Sequence, residues 1–499
     1  MNSEALSKAL HFLNSWLAFR QRKYETPGLT VAIAHHGKLV FNNAYGVANQ
    51  ETGEKLTTRH IFRIASHSKT FTATAIMQIA EKGKLRIDDP IVNHLPWLKK
   101  HKDKRMQKVT ARQLLSHSAG LSRDGVEADY WQLLQPFPDD AQFKKDVLKL
   151  DLVIDNNVQM KYSNYGYALL GMLIEELSGQ SYAQYIQDHI LTPQGLNSTG
   201  PEYTPAITKR LVTGYSRKDG AQRLPIEPTL NTRSMVAATG FYSTSEDLCK
   251  YICAHQIGSG KLLSDESKKE MQRTQWHVTN SSTREEYGLG MGIEHINGKR
   301  LVGHRGSFPG HKSISVLDTA NDLVVVVMAS AIDCDARWIL RGIYSAIDYF
   351  QRNHFSDVIV APSASAKPSA KTAGLSNAKK GAKVNARAAN AGAVRQNEVE
   401  KFQGRYMSLW GISEIVAAGR RIISIDPTMW EPFADWEELE YVDDSTLRIL
   451  KTNGYWSEKE LIHFQFNKQG EVDHIRYGGI IMWPETQYLK MMSKKKRIG

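Results

Sequence analysis

Cysteine is scarce in this chain, with three among 499 residues. Cys249 and Cys253 stand four apart in a helical stretch and Cys334 is distant, so no disulfide scaffold carries the fold. Without histidine partners the pair makes no metal site, and these thiols read as buried core residues. Also missing is an apolar run near the ~20 residues that a bilayer span needs, which excludes an integral helical membrane protein. The first residues lack the apolar block and small-residue cleavage site of an export signal. They place Leu6, Leu10, Leu13, Trp16 and Leu17 at helical spacing instead. A cytoplasmic location is the expectation.

Acid is absent from residues 361–395, which hold Lys367, Lys371, Lys379, Lys380, Lys383, Arg387 and Arg395. The end of the chain adds Lys494, Lys495, Lys496 and Arg497, and these eleven cations account for all but one unit of the formal +12 charge. The remainder is close to neutral, so a specific nucleic-acid partner is not expected. Residues 361–394 are also nearly free of large apolar side chains and cannot bury enough surface to fold.

What remains is ordinary globular composition over a length that calls for two or three domains. Residues 1–355 read as one α/β domain, 356–396 as a linker, 397–490 as a small all-β domain and 491–499 as a basic tail. In the first domain, residues 28–33 and 39–45 flank His35-His36-Gly37-Lys38 as a β-hairpin. Residues 85–196 are mostly helical. Beyond Gly200 the pattern turns to strands at 240–244, 300–302, 313–317 and 323–328, with helices from Ser245 and over 336–350. The last domain carries short β-rich runs at 406–415, 421–425, 438–442, 446–449, 461–466 and 474–477, which fit a small antiparallel barrel or sandwich.

Ile64-Ala65-Ser66-His67-Ser68-Lys69-Thr70 places a serine three residues before a lysine at the start of a helix ending near Gly83. That spacing puts both side chains on one face, roughly 5–6 Å apart at their β-carbons. A serine hydroxyl needs an unprotonated base, which a desolvated lysine can supply, and helix N-terminal N–H groups add positive potential there. Ser66 is the candidate nucleophile and Lys69 its base. His67 points about 100° away on a helix and is left out of the chemistry. His117, in the loop after 110–115, reads as bonded to backbone. In Lys161-Tyr162-Ser163-Asn164 a tyrosine able to relay a proton and an asparagine able to orient an amide precede a helix. Gly303-His304-Arg305-Gly306-Ser307 offers glycines through which backbone can approach a ligand.

Taken together, these stretches resemble the superfamily of serine β-lactamases and penicillin-recognising peptidases, on its class C and esterase branch. Ser66 to Lys69 stands for the Ser-x-x-Lys motif, Tyr162-Ser163-Asn164 for Tyr-x-Asn, and His304-Arg305-Gly306 takes the place of Lys-Thr-Gly. The likeness covers about residues 10 to 350. It implies an antiparallel sheet flanked by terminal helices and a helical region. It also implies an acyl-serine mechanism with Ser66, Lys69 and Tyr162 catalytic and Asn164 on the substrate amide. His304, Arg305 and Gly306 would line the substrate site, and the backbone N–H groups of Ser66 and Ser307 would hold the oxyanion. No cofactor or metal is implied. The substrate would be a small ester, amide or peptide, and oligomerisation is left open. Histidine in the third motif resembles esterases, D-amino-acid peptidases and amidases of the family, with Arg305 able to supply the missing cation. A β-lactamase proper or penicillin-binding DD-peptidase is the alternative, and a non-catalytic binding protein on the same fold the second. In family members with an appended lipocalin-like barrel, the barrel lies near the site mouth. Here Trp410, Trp430, Trp436 and Tyr455 would line the entrance or fill the barrel.

Overall fold

The computed structural model describes residues 1–218, 222–228, 231–278, 284–353, 399–418, 421–428, 436–452 and 457–495. The expected linker, Trp430, Tyr455 and the last four residues lie outside them.

Strand Gly28–His35 alternates large and small side chains, and that alternation sets the layers. Leu29, Val31 and Ile33 pack with Val325 and Val327 against the first and last helices of the domain, Ser3–Lys23 and Ala336–Arg352. Ala32 and Ala34, with Val324, Val326 and Met328, face the helical region instead. Fully burying each such aliphatic side chain stabilises the domain by about 1.5–3 kcal/mol. The strand therefore sits between two apolar layers, paired with Lys38–Asn49 and with Leu323–Ala329. The hairpin turn is His36-Gly37, both left-handed, and glycine supplies one of those conformations without strain. Beyond Leu323–Ala329 the antiparallel sheet continues through His311–Asp318, Lys299–Phe308 and Gly292–Ile296 to two short strands, nine in all among the described residues.

The second domain is a closed eight-stranded antiparallel barrel, from Gly404–Met407 to Ile480–Pro484, which pair with each other at Tyr406↔Pro484 and Met407↔Trp483. Its core is Phe402, Tyr406, Ile415, Leu439, Leu447, Ile449, Ile462, Phe464 and Ile475. Two details differ from the sequence reading. The run 406–415 is two strands, broken where Ser408 donates its N–H to the carbonyl of Gly411 to make a turn. The helix Glu485–Lys495 runs across the expected domain end at 490.

The barrel docks on loops of the first domain through bonds that span the sequence. Trp410 Nε1 donates to the carbonyl of Trp131 at 2.9 Å, with the two rings edge to face at 5.7 Å. Ala128 donates its N–H to the carbonyl of Gly479, Ile481 donates its N–H to Asp129, and Arg476 pairs with Asp129. Trp410 is thus an interface residue, while Trp436 opens strand Trp436–Asp443.

Candidate active site

The segment carrying Ser66 is braced from three directions before any chemistry is considered. Strand Phe62–Arg63 pairs with Tyr242–Ser243, and the Ile64 N–H donates to the carbonyl of Phe241. Ser68 Oγ donates to the carbonyl of Ala65 and accepts the N–H of Phe241. His67 is buried, with Nε2 2.9 Å from Ser315 Oγ and Nδ1 3.0 Å from Ser313 Oγ, and burial pushes its pKa down to about 4. It ties the turn to the sheet and takes no part at the Ser66 hydroxyl. Ser66 itself lies in a single tight turn, Ala65–His67, rather than in the helix proper, which is Ser68–Glu81. Ala65 holds a left-handed φ of 49°, a conformation costly for a residue with a β-carbon. Of residues 61–70, all are buried except Ser66. The sharp turn presents one hydroxyl and hides the rest.

Two groups meet that hydroxyl. Lys69 Nζ lies 3.1 Å from Ser66 Oγ, and the Tyr162 hydroxyl donates to it at 2.9 Å. Lys69 is fully buried and also donates to Asn164 Oδ1 at 2.7 Å and to the carbonyl of Ala238 at 2.8 Å. Burial drives its pKa well below that of an ordinary lysine, with Asp124 opposing and Arg123 adding to the shift. Its two shortest contacts go to Asn164 and Ala238, and Ser66 Oγ is the third and longest. Burial raises the pKa of Tyr162, so its hydroxyl is protonated at neutral pH and stands as a donor.

The local sequence explains the placement of Tyr162 and Asn164. Ser163 caps helix Asn164–Ser178, accepting the N–H of Gly166, which turns Asn164 inward as the first helical residue. Asn164 Nδ2 donates to buried Asp124 at 2.7 Å, fixing which amide atom faces Lys69. His117, also left-handed at φ 58°, accepts the Ser163 N–H on Nδ1 and lies 4.1 Å from the Tyr162 ring.

Strand Lys299–Phe308 supplies the opposite wall. It is flanked by two-residue turns, Asn297-Gly298 and Pro309-Gly310, so Ile296↔Lys299 and Phe308↔His311 are hydrogen-bonded pairs. Counting along the pleat, Lys299, Leu301 and Gly303 bond to Gly292–Ile296, and Arg305 and Ser307 direct their N–H groups to the same side, beyond the point where that strand ends. Gly306 brings this open edge to the Ser66 turn, because a β-carbon there would stand 2.1 Å from the carbonyl oxygen of Ile64.

His304 and Arg305 are placed otherwise than as substrate cations. His304 is buried, with Nε2 2.9 Å from the Tyr287 hydroxyl and Nδ1 2.6 Å from the carbonyl of Arg305, and burial followed by His67 and Lys69 holds its pKa well below the usual range, leaving it neutral. Arg305 is 2.5 Å from Glu285 and 3.4 Å from Glu294, carboxylates that Arg337 shares. Asp124, Tyr287 and the Ala238 carbonyl were not singled out by sequence reasoning. Among the described residues no cluster of three or more histidine, cysteine or acidic side chains could hold a metal, and no helix is long and apolar enough to cross a membrane.

Comparison with known proteins identifies relatives of the chain. The chain is 28% identical over 314 residues to Protein flp of Staphylococcus aureus (strain MW2), covering 62% of this chain and 60% of the relative. It is 27% identical over 301 residues to a putative penicillin-binding protein, PbpX, of Bacillus subtilis (strain 168), covering 60% and 70%. An octameric penicillin-binding protein homologue from Pyrococcus abyssi superposes with a TM-score of 0.61 at 22% identity, covering 95% of this chain and 99% of that one. SurE superposes with a TM-score of 0.61 at 19% identity, covering 96% and 100%, so the barrel is part of the shared fold. The Beta-lactamase family model matches residues 13–332, more than half of the chain, and the protein belongs to that family.

Proposed function

We propose that the protein is a serine hydrolase that cleaves an ester or amide through an acyl-serine intermediate. The observation that carries this is the convergence of Lys69 Nζ and the Tyr162 hydroxyl on Ser66 Oγ, at 3.1 and 2.9 Å. Ser66 attacks the carbonyl as Lys69 takes its proton, and Tyr162 donates to the leaving group. Water then releases the acyl group with the same residues acting in reverse. Asn164 holds Lys69 and is positioned to orient a substrate amide. The N–H groups of Ser66 and Ser307 face the developing oxyanion, a contribution of about 3–4 kcal/mol per donor in comparable sites.

A neutral His304 and a carboxylate-matched Arg305 favour acyl substrates that do not depend on a cation at this wall. This supports an esterase or a D-amino-acid-specific peptidase or amidase over a β-lactamase or DD-peptidase. SurE has been solved with D-Leu, which adds weight to D-aminoacyl substrates. The test is turnover of short-chain p-nitrophenyl esters, D-aminoacyl p-nitroanilides and a chromogenic cephalosporin by the parent and Ser66→Ala. Hydrolysis of the first or second class, lost in the variant, is expected. Preferential cephalosporin turnover would reverse the assignment.

A further inference from the structure

The barrel reaches the loop before Tyr162 most deeply through Glu460. Glu460 Oε1 accepts from Lys161 Nζ at 2.5 Å and from the Arg123 N–H at 2.9 Å. Among the ion pairs of the described residues this is the one with both side chains below a tenth exposed, 0% for Lys161 and 7% for Glu460. Glu460 is fixed from its own side: its N–H bonds to the carbonyl of Ser457, and its carbonyl accepts the N–H of Ile449 in strand Thr446–Lys451.

Both groups it holds flank the reacting hydroxyls. Lys161 immediately precedes Tyr162. The Arg123 carbonyl accepts the Asn164 N–H at 2.9 Å, and Ser122 next to it accepts from Ser163 Oγ at 2.7 Å. Asp124, next in sequence, holds the Asn164 amide. One carboxylate thus pins the loop carrying Tyr162 on one side and the segment that orients Asn164 on the other. Beside it, Gln159 Nε2 donates to Glu458 at 3.0 Å, and this contact joins the same two loops. Other barrel contacts, such as Arg476 with Asp129, lie on the docking face without touching residues 159–164.

We propose that Glu460 of the C-terminal barrel is a positioning residue for the reaction, holding Tyr162 and Asn164 in register with Ser66 through Lys161 and Arg123. This rests on the hydrolase reading of the site. The barrel is then a part of the catalytic apparatus that acts without touching substrate. Displacing a proton-transfer hydroxyl by a fraction of an ångström lowers the chemical step and leaves ground-state binding nearly intact.

The test compares full-length Glu460→Ala, Glu460→Gln and Arg476→Ala with the parent by two readouts. In steady-state hydrolysis, Glu460→Ala is expected to lower kcat about 10²-fold with KM changed less than about threefold. Glu460→Gln keeps an acceptor for the Arg123 N–H and loses the charge opposite Lys161, so about a tenfold loss is expected. Arg476→Ala loosens docking alone and should leave kcat within about twofold. In amide hydrogen exchange, which needs no substrate, peptides covering residues 159–166 should lose protection in Glu460→Ala and keep it in Arg476→Ala. Equal losses of kcat and protection in Glu460→Ala and Arg476→Ala would overturn the proposal, as would a change confined to KM. If Glu460→Ala does not fold, Glu460→Gln decides by the same criteria. Hydrolysis unaffected by Ser66→Ala would fail the hydrolase reading instead, and the exchange data would still report on the clamp.

Discussion

Replacing Asp124 by asparagine should move the acidic limb of the kcat/KM profile to lower pH. Asp124 does not touch Lys69. The Asn164 amide stands between them, bonded to Lys69 Nζ at 2.7 Å and to Asp124 Oδ1 at 2.7 Å. Adding the width of the amide puts the two charges on the order of 7 Å apart, where an effective dielectric near 20 gives about 2.4 kcal/mol. That attraction favours the ammonium form and opposes the burial that lowers the Lys69 pKa. Asparagine keeps an acceptor for Asn164 Nδ2 and removes the charge, so the Lys69 pKa falls further. The sign is fixed. The active form is the free amine, activity rises as pH rises through its pKa, and a lower pKa shifts that rise toward acid. Removing Asp124 also leaves the Arg123 guanidinium, 3.4 Å away, less neutralised, which acts in the same direction. The assay is kcat/KM for one neutral ester across pH, for parent and Asp124→Asn. A limb that stays in place or moves upward would refute Lys69 as the general base.

Three further outcomes follow from the same geometry. Lys69→Ala should abolish ester turnover, and Ser66→Ala/Lys69→Ala should be little worse than either single variant, because the two act as one unit; additive losses in a kinetic cycle would contradict this. Tyr162→Phe removes the 2.9 Å donor to Ser66 and should lower kcat by a factor on the order of 10² or more with a smaller effect on KM, checked by steady-state kinetics. Gly306→Ala would place a β-carbon 2.1 Å from the Ile64 carbonyl and must push the strand off the nucleophile turn, so kcat should fall about 10²–10³-fold while circular dichroism stays that of the parent.

The parts of the molecule legible in the sequence are those specified by neighbours in the chain. The hairpin around His36-Gly37 follows from apolar, β-branched runs and a turn residue pair, and a helix is legible after the Tyr162 loop, although its start at Asn164 under the Ser163 cap is not. Ser66, Lys69 and Tyr162 are readable as candidates because their motifs are short and ordered along the chain, and the structure brings the three together. Arg305 looked available because its partners, Glu285 and Glu294, stand 20 and 11 positions away, outside its own strand, a pairing that no local pattern encodes. Asp124 and Glu460 were missed for the same reason. Glu460, in Ser457-Glu458-Lys459-Glu460, has the composition of a solvated turn, and only the folded docking of the barrel buries it against Lys161. The helix was expected to start at Ser66, but three residues of tighter turn come first, held by contacts to residues 241, 313 and 315.

The most direct test of the account is intact-mass measurement after incubation with a fluorophosphonate. The parent should gain the mass of one phosphonyl group, localised to the peptide containing Ser66, and Ser66→Ala should gain none. An unmodified parent, or an adduct that persists in Ser66→Ala, would contradict Ser66 as the activated nucleophile.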